Sequence, residues 1–228
     1  MALIIGDVHG CFKTLQKLLT QLPDDEIFFV GDLIDRGPRS KEVLDFMMTH
    51  PEMRCVKGNH EEWAYKVLSY ATLGEVCSWT HPRNGGQATL DSFGSKGDRC
   101  IEDDVPKKYK EFMNNLPIYL TAEDDLFISH SSYCGYDFEN KEDVKDIYSW
   151  NKVRSLLWHR GTSKKVILKG KEYFHVFGHT PVPGAEIGEH YANIDTGACF
   201  PGSKEEGYGV LTALQYPSMK IFTQEYID

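Results

Sequence analysis

The sequence lacks the features that mark membrane-spanning or exported chains. No run of 18 or more apolar residues occurs in its 228 residues, and the opening MALIIGDVHG has neither the basic region nor the long apolar stretch of a signal peptide. Internal repeats, low-complexity tracts and linkers are also missing. We therefore expect a cytoplasmic protein that forms one domain over residues 1–228.

Positive charge and paired cysteines are scarce as well. The chain has 25 Lys and Arg against 34 Asp and Glu, and its formal net charge of −9 disfavours binding to nucleic acid or to anionic membranes. Its six cysteines include no CxxC pair, so they are most simply reduced thiols. An anionic substrate is still compatible with this charge, because a bound cation can supply positive charge locally.

Short apolar runs that end in glycine alternate with helical patterns near the N-terminus. ALIIG, EIFFVG and MRCVKG indicate strands, and SKEVLDFMMTH indicates a helix capped by Ser40. This alternation predicts an α/β fold with parallel strands. The later half is rich in strand patterns, namely IYLTA, LFISH, YFHVFGH, YANIDTG, YGVLTALQY and KIFTQEY. Together they indicate a mixed sheet, or two packed sheets, flanked by helices.

Residues 71–120 are expected to form a surface insertion. The stretch 71–106 is rich in Gly and Asp and shows no clear period, which predicts an irregular excursion over one edge of the fold. PKKYKEFMNNLP then has helical spacing. A further helix is predicted in SWNKVRSLLWHRG, where Gly161 suits the end of the helix.

Polar side chains follow five of the predicted strands at the point where each strand ends. They are Asp7 and His9, then Asp32, Asp35 and Arg36, then Asn59 and His60, then His130, and finally His179. Ligand sites in α/β sheets collect outside the carboxyl ends of the strands, so we expect these side chains to converge. Carboxylate, imidazole and amide ligands without cysteine suit divalent Mn, Fe, Zn, Ni or Co. Asp32 is the obvious bridge between two such ions.

Each of these residues also has an ordinary alternative. Asn59 or His60 could cap the helix predicted in EEWAYKVLSY, since Asn is among the best capping residues. A lone histidine is more often a satisfied core or surface residue than a ligand. Arg160, in LWHRG, could be a charge that complements a helix C-terminus. The same kind of ligand at five strand ends favours the metal site over these alternatives.

The ordered blocks GDVHG, GDLIDRG, GNHE, the His after LFIS, and GHT resemble the signature blocks of the PPP-type metallophosphoesterases. These include serine/threonine protein phosphatases, phage-type phosphatases and symmetrical diadenosine tetraphosphatases. Asp35 and the pair Trp158 and Arg160 make the phage and prokaryotic protein phosphatases the nearer branch. The resemblance implies a calcineurin-like four-layer α/β/β/α sandwich with mixed sheets. It also implies a dinuclear site with Asp7, His9 and Asp32 on one ion and Asp32, Asn59, His130 and His179 on the other.

The resemblance further implies how the site works. A water held between the two ions, with manganese expected first, would be the nucleophile. His60 would protonate the leaving group, Asp35 would orient His60, and Arg36 and Arg160 would grip phosphate oxygens. We therefore expect a metal-dependent phosphomonoesterase, similar to protein serine/threonine phosphatases, acting on phosphoproteins, phosphopeptides or small phosphorylated substrates.

Two alternatives to this function stay open. One is a symmetrical diadenosine tetraphosphate hydrolase, which would share the same core and differ at the rim of the pocket. The other is a phosphate-binding scaffold that has lost catalysis, which predicts a gap among the ligands or the acid. The sequence shows no such gap, because all six metal ligands, His60 and Asp35 are present.

Overall fold

Two mixed β-sheets form the centre of the protein. The computed structural model describes residues 1–70, 72–95, 101, 103–135, 154–203 and 207–228. The strands of the first sheet are β1 (Ala2–Ile5), β2 (Glu26–Phe29), β3 (Arg54–Cys55), β10 (Val210–Tyr216) and β11 (Lys220–Glu225). They lie in the order β11-β10-β1-β2-β3. As predicted, β1, β2 and β3 are parallel, whereas β10 is antiparallel to β1 and β11.

The second sheet contains the middle strands of the chain. They are β4 (Tyr119–Ala122), β5 (Leu126–Ser129), β6 (Val166–Leu168), β7 (Lys171–Phe177), β8 (Glu186–Ile187) and β9 (Tyr191–Asn193). The order is β4-β5-β7-β9-β8, and β6 pairs with β7 at the side of this path. The central strands β5, β7 and β9 are parallel. Parallel neighbours point their carboxyl ends the same way, which brings the loops after β5 and β7 to one edge of this sheet.

Three groups of buried apolar residues stack these layers. Between the sheets, Ile4 and Phe28 of the first pack with Ile128 and Val176 of the second. On the outer face of the first sheet, alternate residues such as Ile5 and Phe29 pack beneath helices. Strands covered on both faces carry continuous apolar runs, which is why ALII and IFFV show no polar alternation. A third, smaller group covers the outer face of the second sheet.

The helices lie mainly outside the first sheet. They are α1 (Phe12–Leu19), α2 (Ser40–Thr49), α3 (Asn59–Tyr70), α4 (Leu73–Thr80), α5 (Gly86–Ser92) and α6 (Lys107–Asn115). Residues 154–158 are helical as well, and Leu156 packs on Phe127 of the second sheet. The earlier part of the helix predicted in SWNKVRSLLWHRG lies outside the described residues. No helix in the part of the chain that the structure describes is long and apolar enough to cross a membrane.

Two expectations from the sequence are wrong. The irregular structure expected for 71–106 is not found in the described part of this stretch, because α4 and α5 lie there and Trp79 and Leu90 are buried in the core beneath the helices. Ser40 does not cap α2 either. Arg39 occupies the capping position, and the Ser40 hydroxyl accepts the backbone N–H of Asp35 at 3.0 Å. Both residues also have partners distant in sequence, since Trp79 donates to Asp35 and the Ser40 hydroxyl lies 3.0 Å from that of Thr89, and local patterns do not encode such contacts.

Candidate active site

The loops after β1, β2, β3, β5 and β7 bring the predicted polar side chains together. Asp32 lies at the centre of the group. Its Oδ2 atom is 3.4 Å from His9 Nε2 and 3.9 Å from His60 Nε2, and its Oδ1 atom is 3.4 Å from His130 Nε2. His179, after β7, belongs to the same group of possible ligand atoms as Asp32 and His130, so the five strand ends converge as the strand-end pattern predicted.

Side-chain atoms of His130, Asn59 and His179 that could bind a metal lie close together. His130 Nδ1 donates its proton to the carbonyl oxygen of Val30 at 2.9 Å, so Nε2 of the neutral ring carries a lone pair. That atom lies 2.8 Å from Asn59 Oδ1 and 3.1 Å from His179 Nδ1, and the last two atoms are also 2.8 Å apart. No proton is available between His130 and Asn59, so a cation held by both satisfies this arrangement and the residues fit a metal ion.

The His9 side of the site brings Arg36 and His60 close to His9 and Asp32. His9 Nδ1 donates to the carbonyl oxygen of Ile34 at 2.8 Å, and Nε2 faces Asp32 and accepts a hydrogen bond from Arg36. His9, Asp32 and His60 form a compact group of possible ligand atoms, as do Asp32, His130 and His179. Asp7 belongs to neither compact group among the described residues. Its carboxylate accepts the backbone N–H of His179 at 3.1 and 3.3 Å.

Burial sets the charge of the histidines that could bind a metal. It lowers the pKa of His9, with help from the Arg36 charge, and that of His130. It also lowers the pKa of His179 to about 2, with His130 adding to the effect. All three rings are therefore neutral near pH 7, which is the state that metal binding requires. Burial raises the pKa of Asp7, and the nearby carboxylates of Asp195 and Asp32 add to this, so a nearby cation would favour its ionised form.

His60 and Asp35 form a buried pair beside these groups. His60 Nδ1 donates to Asp35 Oδ2 at 2.6 Å. Trp79 Nε1 donates to the same oxygen at 2.8 Å, and the Thr89 hydroxyl donates to Oδ1 at 2.6 Å. Burial alone would lower the pKa of His60, but the carboxylates of Asp32 and Asp35 outweigh it and raise that pKa. The raised pKa favours the protonated ring, which suits an acid better than a metal ligand.

Glu61, which the sequence did not single out as a site residue, ties two of the loops together. Its carboxylate accepts the backbone N–H groups of Asp32 at 2.9 Å, Leu33 at 2.8 Å and Gly58 at 2.8 Å. Gly58 is needed for this approach, because a Cβ atom at this position would lie 2.1 Å from Asp32 Oδ1. The GNHE block therefore carries a structural carboxylate in addition to Asn59.

Asp195 is a second buried carboxylate that sequence reasoning missed. Its Oδ1 atom accepts the backbone N–H of Gly197 at 3.0 Å. Burial raises its pKa to about 6, and the negative charge of Asp32 contributes. The sequence signal for Asp195 was its place in the segment NIDTG, shortly after β9. It is a sixth polar residue that follows the end of a strand.

Comparison with known proteins identifies the family of this chain. The family model of calcineurin-like phosphoesterases matches residues 2–205. An asymmetrical bis(5'-nucleosyl)-tetraphosphatase PrpE from Halalkalibacterium halodurans is 30% identical over 246 residues, covering 95% of this chain and 90% of the relative. The chain belongs to the calcineurin-like phosphoesterase family. It is therefore a phosphoric ester hydrolase, and the resemblance seen in the signature blocks is confirmed.

Other relatives and solved structures agree with this family. The PrpE of Anoxybacillus flavithermus is 29% identical over 238 residues, covering 95% of this chain and 91% of the relative. A protein serine/threonine phosphatase from Saccharomyces cerevisiae has a TM-score of 0.59 at 16% identity, covering 100% of this chain and 80% of that one. A metallophosphoesterase from Sphaerobacter thermophilus has a TM-score of 0.54 at 16% identity, with coverages of 100% and 87%. The structural likeness confirms the predicted fold class.

The two predicted phosphate clamps of this phosphoesterase differ in their surroundings. Arg36 is half-buried, donates to His9, and its guanidinium lies 5.5 Å from the ring centre of Phe200. Arg160 is exposed just beyond residues 154–158, yet its charge is near enough to contribute to the low pKa values of His130 and His179. Both arginines lie at the edge of the ligand cluster, where an anionic substrate would approach.

Proposed function

We propose that this phosphoesterase is a catalytic domain over residues 1–228 that uses two divalent cations to hydrolyse dinucleoside tetraphosphates. The observation that carries the proposal is the set of converging possible ligand atoms of His130, Asn59 and His179 beside the hydrogen-bonded His60–Asp35 pair. A scaffold that only binds phosphate would need the converging ligand atoms but not the His60–Asp35 pair. The buried acid next to these atoms supports hydrolysis.

The cations would be held by residues from all five loops. Asp7, His9 and Asp32 would hold one ion, and Asp32, Asn59, His130 and His179 would hold the other. Manganese is the first ion to test, with Fe, Zn, Ni and Co as alternatives. When bound, such a pair supplies positive charge that lowers the pKa of a water and neutralises the phosphate.

His60 would protonate the leaving oxygen through Nε2. Its other nitrogen is committed to Asp35 at 2.6 Å, which fixes the ring so that the Nε2 proton faces the region of Asp32. Arg36 and Arg160 would bind phosphate oxygens, because the planar guanidinium can donate two parallel hydrogen bonds to one phosphoryl group.

The choice of substrate follows from the relatives. The sequence alone placed phosphomonoesters first and a symmetrical dinucleotide hydrolase second. Relatives that align with 95% of the chain are named asymmetrical bis(5'-nucleosyl)-tetraphosphatases, which moves the dinucleotide to first place and favours unequal cleavage. A phosphomonoester remains the second candidate, because Arg36 and Arg160 are placed to share the extra charge of a terminal phosphate dianion.

One assay decides between these substrates. Metal-reconstituted protein is incubated with diadenosine tetraphosphate and, in parallel, with a phosphoserine peptide, and the products are separated by chromatography. We expect adenosine triphosphate and monophosphate in equal amounts. Adenosine diphosphate alone would show symmetrical cleavage, and phosphate release from the peptide alone would support the second candidate. Failure to hydrolyse either substrate with both cations bound would overturn the proposed function.

A further inference from the structure

A cavity of about 450 Å³ opens beside the proposed active site between α3 and residues 154–158. Trp63 and Trp158 form two of its walls. The Trp63 ring centre is 6.5 Å from that of His60, and the Trp158 ring centre is 6.2 Å from that of His179. Both tryptophans thus border the metal-ligand cluster on one side and the cavity on the other. The volume lies within the usual range for small-molecule sites.

The two indole rings form a corner that a flat ring can enter. Their centres are 6.2 Å apart and their planes are inclined by 59°. A planar group can therefore stack on one indole while its edge contacts the other. Trp158 Nε1 donates to Glu62 Oε2 at 3.3 Å, and Lys66 donates to Glu62 Oε1 at 2.6 Å. These bonds orient the Trp158 ring, which reduces the entropy lost on binding.

The charges around the cavity favour an uncharged occupant. Glu62 and Glu75 contribute two carboxylates to the lining, and Lys66 and Arg154 contribute two cations. Because the two negative and two positive charges balance, the cavity does not attract an additional phosphate group. Arg36, which is predicted to bind phosphate oxygens, lies outside the cavity. A neutral aromatic ring attached to a phosphate chain matches both regions at once.

We propose that this cavity binds one nucleobase of the substrate, stacked in the corner of Trp63 and Trp158, while the polyphosphate chain extends to the metal ligands. The proposal rests on the proposed function and adds a base-recognition site to it. Stacking of a base on an aromatic side chain is sequence-tolerant, because every base has a π-face. The site therefore selects nucleotides over inorganic polyphosphate without a strong preference among bases.

Binding of adenosine, which has no phosphate, tests the site without catalysis. We expect adenosine to quench tryptophan fluorescence and to inhibit competitively. Trp63→Leu and Trp158→Leu should each weaken its binding by about 5- to 150-fold, the range that corresponds to loss of one stacked base. Trp63→Phe keeps an aromatic face and should recover much of the affinity. Phe222→Leu, on β11 at the opposite edge of the first sheet, is the matched control and should bind adenosine normally.

Inorganic tripolyphosphate, which has no base, provides the second arm of the test. Its inhibition constant should stay within about twofold of the wild-type value in both leucine variants, because its contacts are with the cations and arginines. Equal weakening of adenosine and tripolyphosphate would overturn the proposal, since it would show general damage to the site. Unchanged adenosine binding in both variants would also overturn the proposal. A loss of phosphopeptide binding alone would overturn it too, because it would assign the cavity to a peptide side chain.

The two proposals can fail separately. If the wild-type protein cleaves no dinucleotide but binds adenosine through Trp63 and Trp158, the base site stands and the proposed reaction is wrong. If it cleaves the dinucleotide and both leucine variants keep the wild-type KM and adenosine affinity, the reaction stands and the base site is wrong.

Discussion

Replacement of Asp35 by Asn removes the charge of the His60–Asp35 pair while keeping its hydrogen bonds. The Asn carbonyl oxygen can take the place of Oδ2 and continue to accept from His60 and Trp79. The amide nitrogen then donates to the Thr89 hydroxyl, which can turn its own proton toward the Ser40 hydroxyl 3.0 Å away. No buried polar group loses its partner, so we expect the variant to fold and its kinetics to report the missing charge.

The size of the effect follows from Coulomb's law. Two unit charges about 4 Å apart interact by about 4 kcal/mol at an effective dielectric constant of 20, which corresponds to a factor of about 10³ in rate. This agrees with the usual worth of general acid catalysis, about 10²–10⁴-fold. We expect Asp35→Asn to lower kcat by about 10²–10³-fold for alkyl phosphates. The loss should fall to roughly tenfold or less for p-nitrophenyl phosphate, whose leaving group departs without protonation.

The assay measures kcat across alkyl and aryl phosphates of graded leaving-group pKa, with metal content checked in each sample. Asp45→Asn is the matched control, because Asp45 accepts hydrogen bonds from Tyr109 and Lys41, each at 2.6 Å, outside the site. Its kcat should equal that of the wild type. A kcat for Asp35→Asn within about threefold of wild type, or an equal loss on every leaving group, would refute the assignment of His60 as the acid.

Three further predictions follow from the same geometry. Glu61→Gln leaves one of three buried N–H donors without an acceptor, so the free energy of unfolding should fall by about 1–3 kcal/mol and Tm by about 2–12 °C. Glu42→Gln, at a half-buried ion pair on α2, should change stability by less than about 1 kcal/mol, and equal melting curves for the two variants would contradict the prediction. Wild-type protein should bind about two divalent cations and melt at a higher temperature when they are bound. Asp32→Asn should reduce the number of bound cations, measured by mass spectrometry. A number unchanged from wild type would rule out Asp32 as the shared ligand. Arg36→Lys should lower kcat/KM although the charge is kept, because lysine cannot donate the paired hydrogen bonds of a guanidinium; full activity would show that charge alone suffices.

The first half of the first sheet could be predicted from the sequence because its signals are local. Strands β1 and β2 are buried on both faces, so they appear as short, continuous apolar runs that end in glycine. The helix between them, α1, buries Leu15 and Leu18, which lie three residues apart on one face. Parallel pairing then followed from the alternation of strands and helices, and it is confirmed.

The support of the acid pair could not be predicted in the same way. Trp79 and Thr89 reach Asp35 across 44 and 54 positions, from a segment that was expected to be irregular and superficial. Nothing in the local composition of HPRNGGQATL indicates that its threonine donates to Asp35. Glu61 was hidden for a related reason, since a glutamate in the first turn of a helix already has an ordinary electrostatic explanation. Such residues are recognised by their partners, which only the folded chain supplies.

The backbone of the site shows how the fold prepares it. Five predicted site residues have a positive φ, which costs an ordinary side chain about 1–2 kcal/mol each: His9 at 44°, Asp32 at 48°, Asp35 at 71°, Arg36 at 68° and His179 at 71°. Conformations of this kind persist only where the surroundings enforce them. Here the backbone N–H of every one of the five donates to a defined acceptor, among them Glu61 for Asp32 and Asp7 for His179. Three of the six predicted metal ligands, His9, Asp32 and His179, are among these five, so folding itself sets their backbone geometry before any cation binds.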